Sequence, residues 1–277
     1  MPYFASSVDG TQLHYADYGP ADGPVAVFVN SAYLGTEMWE FQMPPPAAGY
    51  RCVGLDRRGH GRSDDVWGGY DLDSLADDVY GLLDHLDLRE VTLIGHSVGS
   101  AEIVRCLTRH GTGRVTRVAL VAGIAPGVAR TADHPDGWDP AVMRAGNAAC
   151  RLDRAAFFND PDALRDFFAL HRPGNDVSPA YVRYLSDRCL VSTARATGAV
   201  QETAVTVDVA RELAGLDLPV LVLHGTHDVS APLEMTGRRA AEIAPDATLK
   251  VYENAGHGLF ITHADQLTAD LREFMKR

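Results

Sequence analysis

The chain has 277 residues, 46% hydrophobic and 22% charged, with 37 acidic and 25 basic side chains for a net charge of −12. That composition supports a folded core and excludes a chain that is mainly disordered. The acidic surplus repels phosphate backbones and anionic lipid surfaces, so neither nucleic acid nor a membrane is an expected partner.

The segment from Met1 to Gly10 has neither a basic region nor an apolar one. No stretch approaches the roughly 18 apolar residues of a membrane span, and a cytoplasmic location is expected. Cys52, Cys106, Cys150 and Cys189 form no CxxC pair. Cys52 and Cys106 sit in apolar runs, where reduced, buried thiols are expected.

In chain order, Tyr3 to Tyr18 reads as two strands around a Val8-Asp9-Gly10 turn,. Val25 to Val29 and Arg51 to Leu55 are short apolar runs of buried-strand character. Leu72 to Leu86 carries Leu72, Leu75, Val79, Leu82, Leu83 and Leu86 at helical spacing,. Val91 to Ile94 predicts a strand, Val98 to His110 a helix and Val115 to Val121 a strand. Strands that are buried throughout and alternate with helices imply a mostly parallel sheet covered on both faces.

From Gly123 to about Leu216 no buried strand is evident. Helical, aromatic-rich pieces replace the rhythm: Phe157-Phe158, Phe167-Phe168, and Tyr181 with Tyr184. The expected organisation is a core domain over 1–123, a helical cap over 124–216 inserted after the sixth strand, and the rest of the core over 217–277. Val220 to His224 resumes the pattern as a strand. A helix from Pro232 to about Ile243, a strand from Leu249 to Tyr252 and a helix from about Asp265 to Lys276 follow.

Gly95-His96-Ser97-Val98-Gly99 joins a predicted strand to a predicted helix. A serine on so sharp a turn projects from the carboxyl edge of the sheet, and glycines on either side permit close backbone approach. The helix opening after Ser97 aims its free N–H groups at charge developing beside the hydroxyl, making the Val98 N–H a candidate oxyanion donor. The pattern calls for an acid and then a histidine further along the chain. Asp228 is the carboxylate in the loop after the strand ending at His224. His257, between glycines in the loop after Tyr252, fits the order better than His224, His227 or His263. Ser97 is then the nucleophile, His257 the general base and Asp228 the group orienting that base. His224 and His227 lie three apart on a turn with no further ligand spacing, so no metal is expected. The loop Asn30-Ser31-Ala32-Tyr33-Leu34-Gly35 supplies the second oxyanion donor by position, the Ala32 N–H. Asn30, Ser31, Tyr33 and His96 are candidate substrate contacts, although Asn30 and Ser31 could equally brace the loop.

With these residues the chain resembles the α/β-hydrolase superfamily over essentially its full length. Its first half is similar to bacterial cofactor-free haloperoxidase-like esterases and perhydrolases. The resemblance is carried by Trp39-Glu40-Phe41-Gln42-Met43, Asp56-Arg57-Arg58-Gly59-His60-Gly61-Arg62-Ser63, Leu86-Asp87-Leu88-Arg89, Val91 to Ser97 and Arg109-His110-Gly111-Thr112. It implies the same triad and neither metal nor haem. That family carries His-Gly-aromatic-Pro where this chain has Asn30-Ser31-Ala32-Tyr33. Asn30-Ser31, with Gly35-Thr36 and Met38-Trp39, resembles enol-lactone hydrolases instead. The Asp56 to Ser63 stretch is expected to be structural.

The expected activity is hydrolysis of a small hydrophobic carboxylic ester or lactone through an acyl-enzyme, with no cofactor. The chain is also compatible with a homo-oligomer. Peracid formation or carbon–carbon bond cleavage on the same triad are alternatives, as is a ligand receptor that merely retains it.

Overall fold

A computed structural model describes residues 2–43, 49–175 and 177–276. Its strands are β1 (Tyr3–Ala5), β2 (Gln12–Tyr18), β3 (Val25–Val29), β4 (Arg51–Leu55), β5 (Val91–His96), β6 (Val115–Val121), β7 (Val220–Gly225) and β8 (Ala247–Tyr252). Among the described residues these form one sheet in the order β1-β2-β4-β3-β5-β6-β7-β8. β2 runs antiparallel to β1 and β4, and every other pairing is parallel.

The sheet is covered on both faces, as the unbroken apolar runs predict. All six positions of β5 are buried. Alternate residues divide between two cores, because successive side chains on a strand point to opposite faces. Leu93 packs in one core with Val27, Val118 and Val222, covered by α1 (Leu72–His85) and α2 (Val98–His110). Ile94 packs in the other with Phe28, Ala119 and Leu221, covered by Trp39 and by α11 (Ala264–Met275). Each fully buried Leu or Val contributes about 1.5–3 kcal/mol relative to exposure, so packing against the sheet holds these helices more than their intrinsic propensity does. α1 is also capped, its Asp71 carboxylate accepting from the Ser74 N–H at 3.0 Å.

Between β6 and β7 lie α3 (Pro140–Leu152), α4 (Arg154–Asn159), α5 (Pro161–Phe168), α6 (Pro179–Cys189), α7 (Ala194–Thr206) and α8 (Ala210–Ala214). Among the described residues the β-structure of this stretch is limited to isolated bridges, Ala129 with Trp138 and Thr131 with His134. Phe158, Phe168, Val182 and Leu185 join the core containing Ile94, while Ala196 and Val200 of α7 join the core containing Leu93.

Three predicted boundaries move by two residues or more. β5 runs on to His96, since both faces stay covered up to the turn. β8 begins at Ala247, pairing with Val220. The helix expected from Pro232 starts only at Gly237, as α9 (Gly237–Ile243). Pro232 to Met235 instead forms tight turns, with the Thr236 hydroxyl donating to the carbonyls of Ala231 and Pro232. α10 (Leu259–Thr262) is a single turn just before α11. All four cysteines are free and buried. Among the described residues no helix is long and apolar enough to cross a membrane.

Candidate active site

Ser97 sits between β5 and α2 with φ 55° and ψ −122°, a backbone conformation that is costly for a residue with a Cβ,. The surroundings enforce it. The Ser97 carbonyl accepts from the Ser100 N–H at 3.0 Å, the Ser100 hydroxyl at 2.6 Å and the Ile124 N–H at 3.2 Å. The Ser97 N–H donates to the Val121 carbonyl at 3.2 Å. The flanking glycines are needed for space: a Cβ on Gly95 would lie 2.5 Å from the Gly99 carbonyl oxygen, and one on Gly99 2.7 Å from that of Val29. Val98 holds the first position of α2, where a helix leaves its N–H without an intrahelical partner,.

The loops after β7 and β8 carry Asp228 and His257 and are stitched together. Thr226 N–H donates to the Tyr252 carbonyl at 3.0 Å and His227 N–H to the Ala255 carbonyl at 2.8 Å. The Thr226 hydroxyl accepts from the Asn254 N–H at 3.0 Å. This register brings His257 Nδ1 to 2.9 Å from Asp228 Oδ2. Asp228 Oδ1 accepts from the N–H groups of Ser230 and Ala231 at 2.9 and 2.8 Å. Burial works to raise this carboxyl, but His257, the hydrogen bond it donates, His224 and the Ala231 N–H together hold it below its usual 3.8,. Asp228 is thus an anion, and Nδ1 of His257 keeps its proton to donate to it. The other ring nitrogen, Nε2, is buried and has no hydrogen-bond partner among the described residues. A neutral imidazole in that tautomer presents an unprotonated Nε2, able to accept a proton.

His224 and His96 are support rather than chemistry. His224 donates Nε2–H to the Ala231 carbonyl at 2.6 Å and lies 3.5 Å from Asp228 Oδ2. Burial drives its ring below the usual 6.5, so it stays neutral. His96 donates Nε2–H to the His257 carbonyl at 2.9 Å, fixing the loop that carries the base. Burial, with His257 beside it, likewise holds His96 well below 6.5.

A cavity of about 730 Å³ opens onto Ser97 and His257. Ala32 and Tyr33 reach its wall from the loop after β3, and Trp138, Met143 and Val205 are among its apolar lining. Three of the four expected substrate contacts do not line it. Asn30 donates to the Leu55 carbonyl at 2.7 Å and accepts from the Trp39 indole at 3.0 Å. Ser31 is fully buried, and His96 is packed between Trp39, Phe260 and His257. Only Tyr33 faces the cavity. The strand period explains the correction: Asn30 continues the face of Phe28, and His96 the face of Ile94, so both point into the core beside Trp39.

The Asp56–Ser63 stretch contributes a brace. Arg57 donates to the carbonyls of Ser31 and Asn30, both at 2.8 Å, and to Glu102 at 2.7 Å. Because a peptide group is planar, holding the Ser31 carbonyl also fixes the direction of the Ala32 N–H. His60 Nε2 lies 2.7 Å from the Ala32 carbonyl and Nδ1 3.0 Å from that of Arg58. Burial and then Arg57 outweigh both acceptors and pull His60 down to about 4. A neutral ring has one N–H, which goes to the nearer Ala32 carbonyl. Of these supports, Arg57 and His60 fall in the Asp56–Ser63 stretch expected to be structural, whereas Glu102 and Ser100 carry no motif of their own. The one available signal is Glu102 on the face of α2 that also carries Val98 and Cys106. Among the described residues no three His, Cys, Asp or Glu side chains gather as a metal site.

Residues 24–264 match the family described as α/β hydrolase fold. The chain is 36% identical to a non-heme chloroperoxidase of Kitasatospora aureofaciens over 97% of its own length and 98% of that protein. It is 31% identical to a bifunctional esterase/perhydrolase of Acinetobacter calcoaceticus over 99% of both chains. The structure of an enol-lactonase from Burkholderia xenovorans superposes with a TM-score of 0.84, at 27% identity and full coverage of both chains. A strand–serine–helix turn, a carboxylate–histidine pair at the exits of β7 and β8 and these full-length likenesses make one assignment: the chain is a hydrolase-type enzyme belonging to the α/β-hydrolase fold family.

Proposed function

We propose that this enzyme cleaves a carboxylic ester or lactone with Ser97 as nucleophile, His257 as general base and Asp228 as the group that orients the base. The carrying observation is His257 itself. Its Nδ1 is committed to an ionised Asp228, while its Nε2 is unpartnered in a residue that lines the same cavity as Ser97. Nε2 takes the Ser97 proton as Oγ attacks the substrate carbonyl, and returns it to the leaving oxygen. The leaving alcohol departs, or the ring opens, to give an acyl-serine. Water deprotonated by the same nitrogen then attacks the acyl carbon and releases the acid. The Ala32 and Val98 N–H groups stabilise the oxyanion in both steps, a contribution of about 10²–10³ in rate for each donor.

The esterase and lactonase names of the relatives support a small-molecule ester or lactone. The mainly apolar lining supports a hydrophobic one. We read 124–216 as a cap, since Trp138, Met143 and Val205 in that stretch supply much of the wall. Peracid formation is the second reading, in which hydrogen peroxide replaces water at the acyl-serine; the esterase/perhydrolase relative favours it.

Rapid mixing with p-nitrophenyl esters tests the proposal. An initial burst of nitrophenol matching the enzyme concentration is expected when deacylation is slower than acylation, and Ser97→Ala abolishes burst and turnover. Absence of turnover across a panel of short esters and five- and six-membered lactones would overturn it.

A further inference from the structure

The cavity wall holds a polar pair that the hydrolytic mechanism does not use. Tyr33 follows the oxyanion residue Ala32, and Gln201 sits on α7; Gln201 Nε2 lies 3.2 Å from the Tyr33 hydroxyl oxygen. Both line the cavity that contains Ser97 and His257. Both are also nearly enclosed, with Gln201 4% and Tyr33 8% exposed. Gln201 Oε1 is buried without a hydrogen-bond partner among the described residues. Apart from the buried Cys150 thiol, which the Gln201 amide also reaches, the surroundings are mainly apolar: the rings of Phe158 and Phe167 stand 5.1 and 5.6 Å from that of Tyr33. Asn147, also on the wall, turns its amide to the Gln201 backbone carbonyl at 3.4 Å. Burial pushes the Tyr33 phenol up, so it keeps its proton.

The hydrogen-bonding capacity of the pair can be counted. With the Gln201 amide donating to Tyr33, the phenol proton is free to donate and Oε1 is free to accept. With the amide turned over, Tyr33 donates to Oε1, leaving the amide N–H groups as donors and the phenol oxygen as acceptor. Either way one donor and one acceptor remain side by side. A hydroxyl is the smallest ligand group that satisfies both at once.

We propose that Tyr33 and Gln201 form a subsite for a hydroxyl group on the substrate, making hydroxylated esters or lactones the preferred class. The inference rests on the proposed role of Ser97 for its turnover consequence. Water can serve such a pair in an empty cavity. A substrate hydroxyl that displaces it restores both bonds, whereas a methyl group restores neither. Sites that hydrogen-bond a hydroxyl therefore reject the analogue lacking it far better than apolar pockets sort alkyl chains.

The test compares methyl esters of ω-hydroxyalkanoic acids with alkanoate esters of equal heavy-atom count, followed by acid release, over a series of chain lengths. Monoacetates of diols and of the matching alcohols cover the leaving-group side. At the length that reaches the pair, wild type is expected to favour the hydroxyl compound in kcat/KM by about tenfold or more. Tyr33→Phe and Gln201→Met should each bring that ratio close to one. The same pairs are titrated against Ser97→Ala, with and without Tyr33→Phe, so that binding is read without turnover. Fluorophosphonate labelling of Ser97 and circular dichroism check each protein. Tyr33→Phe, which removes one oxygen, carries the test if Gln201→Met unfolds. A labelled wild type with no preference at any length, in turnover or binding, overturns the subsite and leaves the hydrolase reading standing. A wild type that is neither labelled nor active overturns the hydrolase reading, while the binding ratio still decides the subsite.

Discussion

Replacing Asp228 by Asn is isosteric, yet the geometry forces one outcome. Oδ1 accepts two backbone N–H groups, from Ser230 and Ala231. In the variant the amide oxygen must keep that position, because an NH₂ there would face two donors and leave all of them unpaired. The NH₂ therefore occupies the Oδ2 position and donates to His257 Nδ1, 2.9 Å away in the wild type. His257 must then carry its proton on Nε2, and the atom that should take the Ser97 proton is already protonated. The orienting anion is lost as well. A loss of about ten-thousandfold in kcat is expected, equivalent to about 5 kcal/mol of activation free energy. Steady-state hydrolysis of a p-nitrophenyl ester reads the loss, and nitrogen-15 NMR of His257 reads the tautomer. Turnover within about tenfold of wild type, in a variant with an unchanged circular dichroism spectrum, would refute the assignment of Asp228.

Three further predictions follow from the supports of the site. Ser100→Ala removes the 2.6 Å hydroxyl bond to the Ser97 carbonyl and the acceptor for the Ala125 N–H at 3.1 Å. It should lower stability in urea by about 1–3 kcal/mol and depress kcat more than it raises KM. Glu102→Gln leaves the buried Arg57 without its counter-charge. Unfolding free energy should fall by about 3 kcal/mol, with kcat falling too as the Ala32 peptide loosens. His60 provides a pH signature. Its folded-state value of about 4 lies below the usual 6.5, so the unfolded chain binds the extra proton first as pH falls. The resulting penalty is absent above 6.5, grows as pH falls through that window and is complete below about 4, reaching about 3 kcal/mol. His60→Asn escapes it, so its stability deficit relative to wild type should shrink by that order between neutral pH and pH near 4, measured by denaturant titration. A deficit independent of pH would contradict a neutral, buried His60.

The central strands, their burial and the three triad candidates are legible because each depends on local pattern. Val25 to Val29 and Val220 to Leu223 are apolar at every position, the pattern required of a strand covered on both faces,. Ser97, Asp228 and His257 each stand in the loop past the carboxyl end of a strand, so one rule of placement selects all three candidates. What the sequence hides are partners brought together by tertiary packing. Glu102 shares a face of α2 with Val98 and Cys106, but nothing local names Arg57, 45 residues earlier, as its partner. Gln201 carries no local signal, because nothing near it in the chain reveals Tyr33, 168 positions away. Asn30 and His96 stand off the cavity wall for a different reason. Their polarity and their nearness to catalytic candidates suggest the cavity, but strand alternation turns them towards Trp39. The helix expected from Pro232 fails on capping: Thr236 spends its hydroxyl on the carbonyls of Ala231 and Pro232 and delays the first helical turn.

The most direct measurement is a fluorophosphonate adduct. Treatment of the enzyme, proteolysis and mass spectrometry should locate one phosphonyl group per chain on the peptide containing Gly95-His96-Ser97-Val98-Gly99, with Ser97→Ala unmodified. A wild type that stays unmodified, or modification of Ser97→Ala at the wild-type rate, would contradict the account at its root.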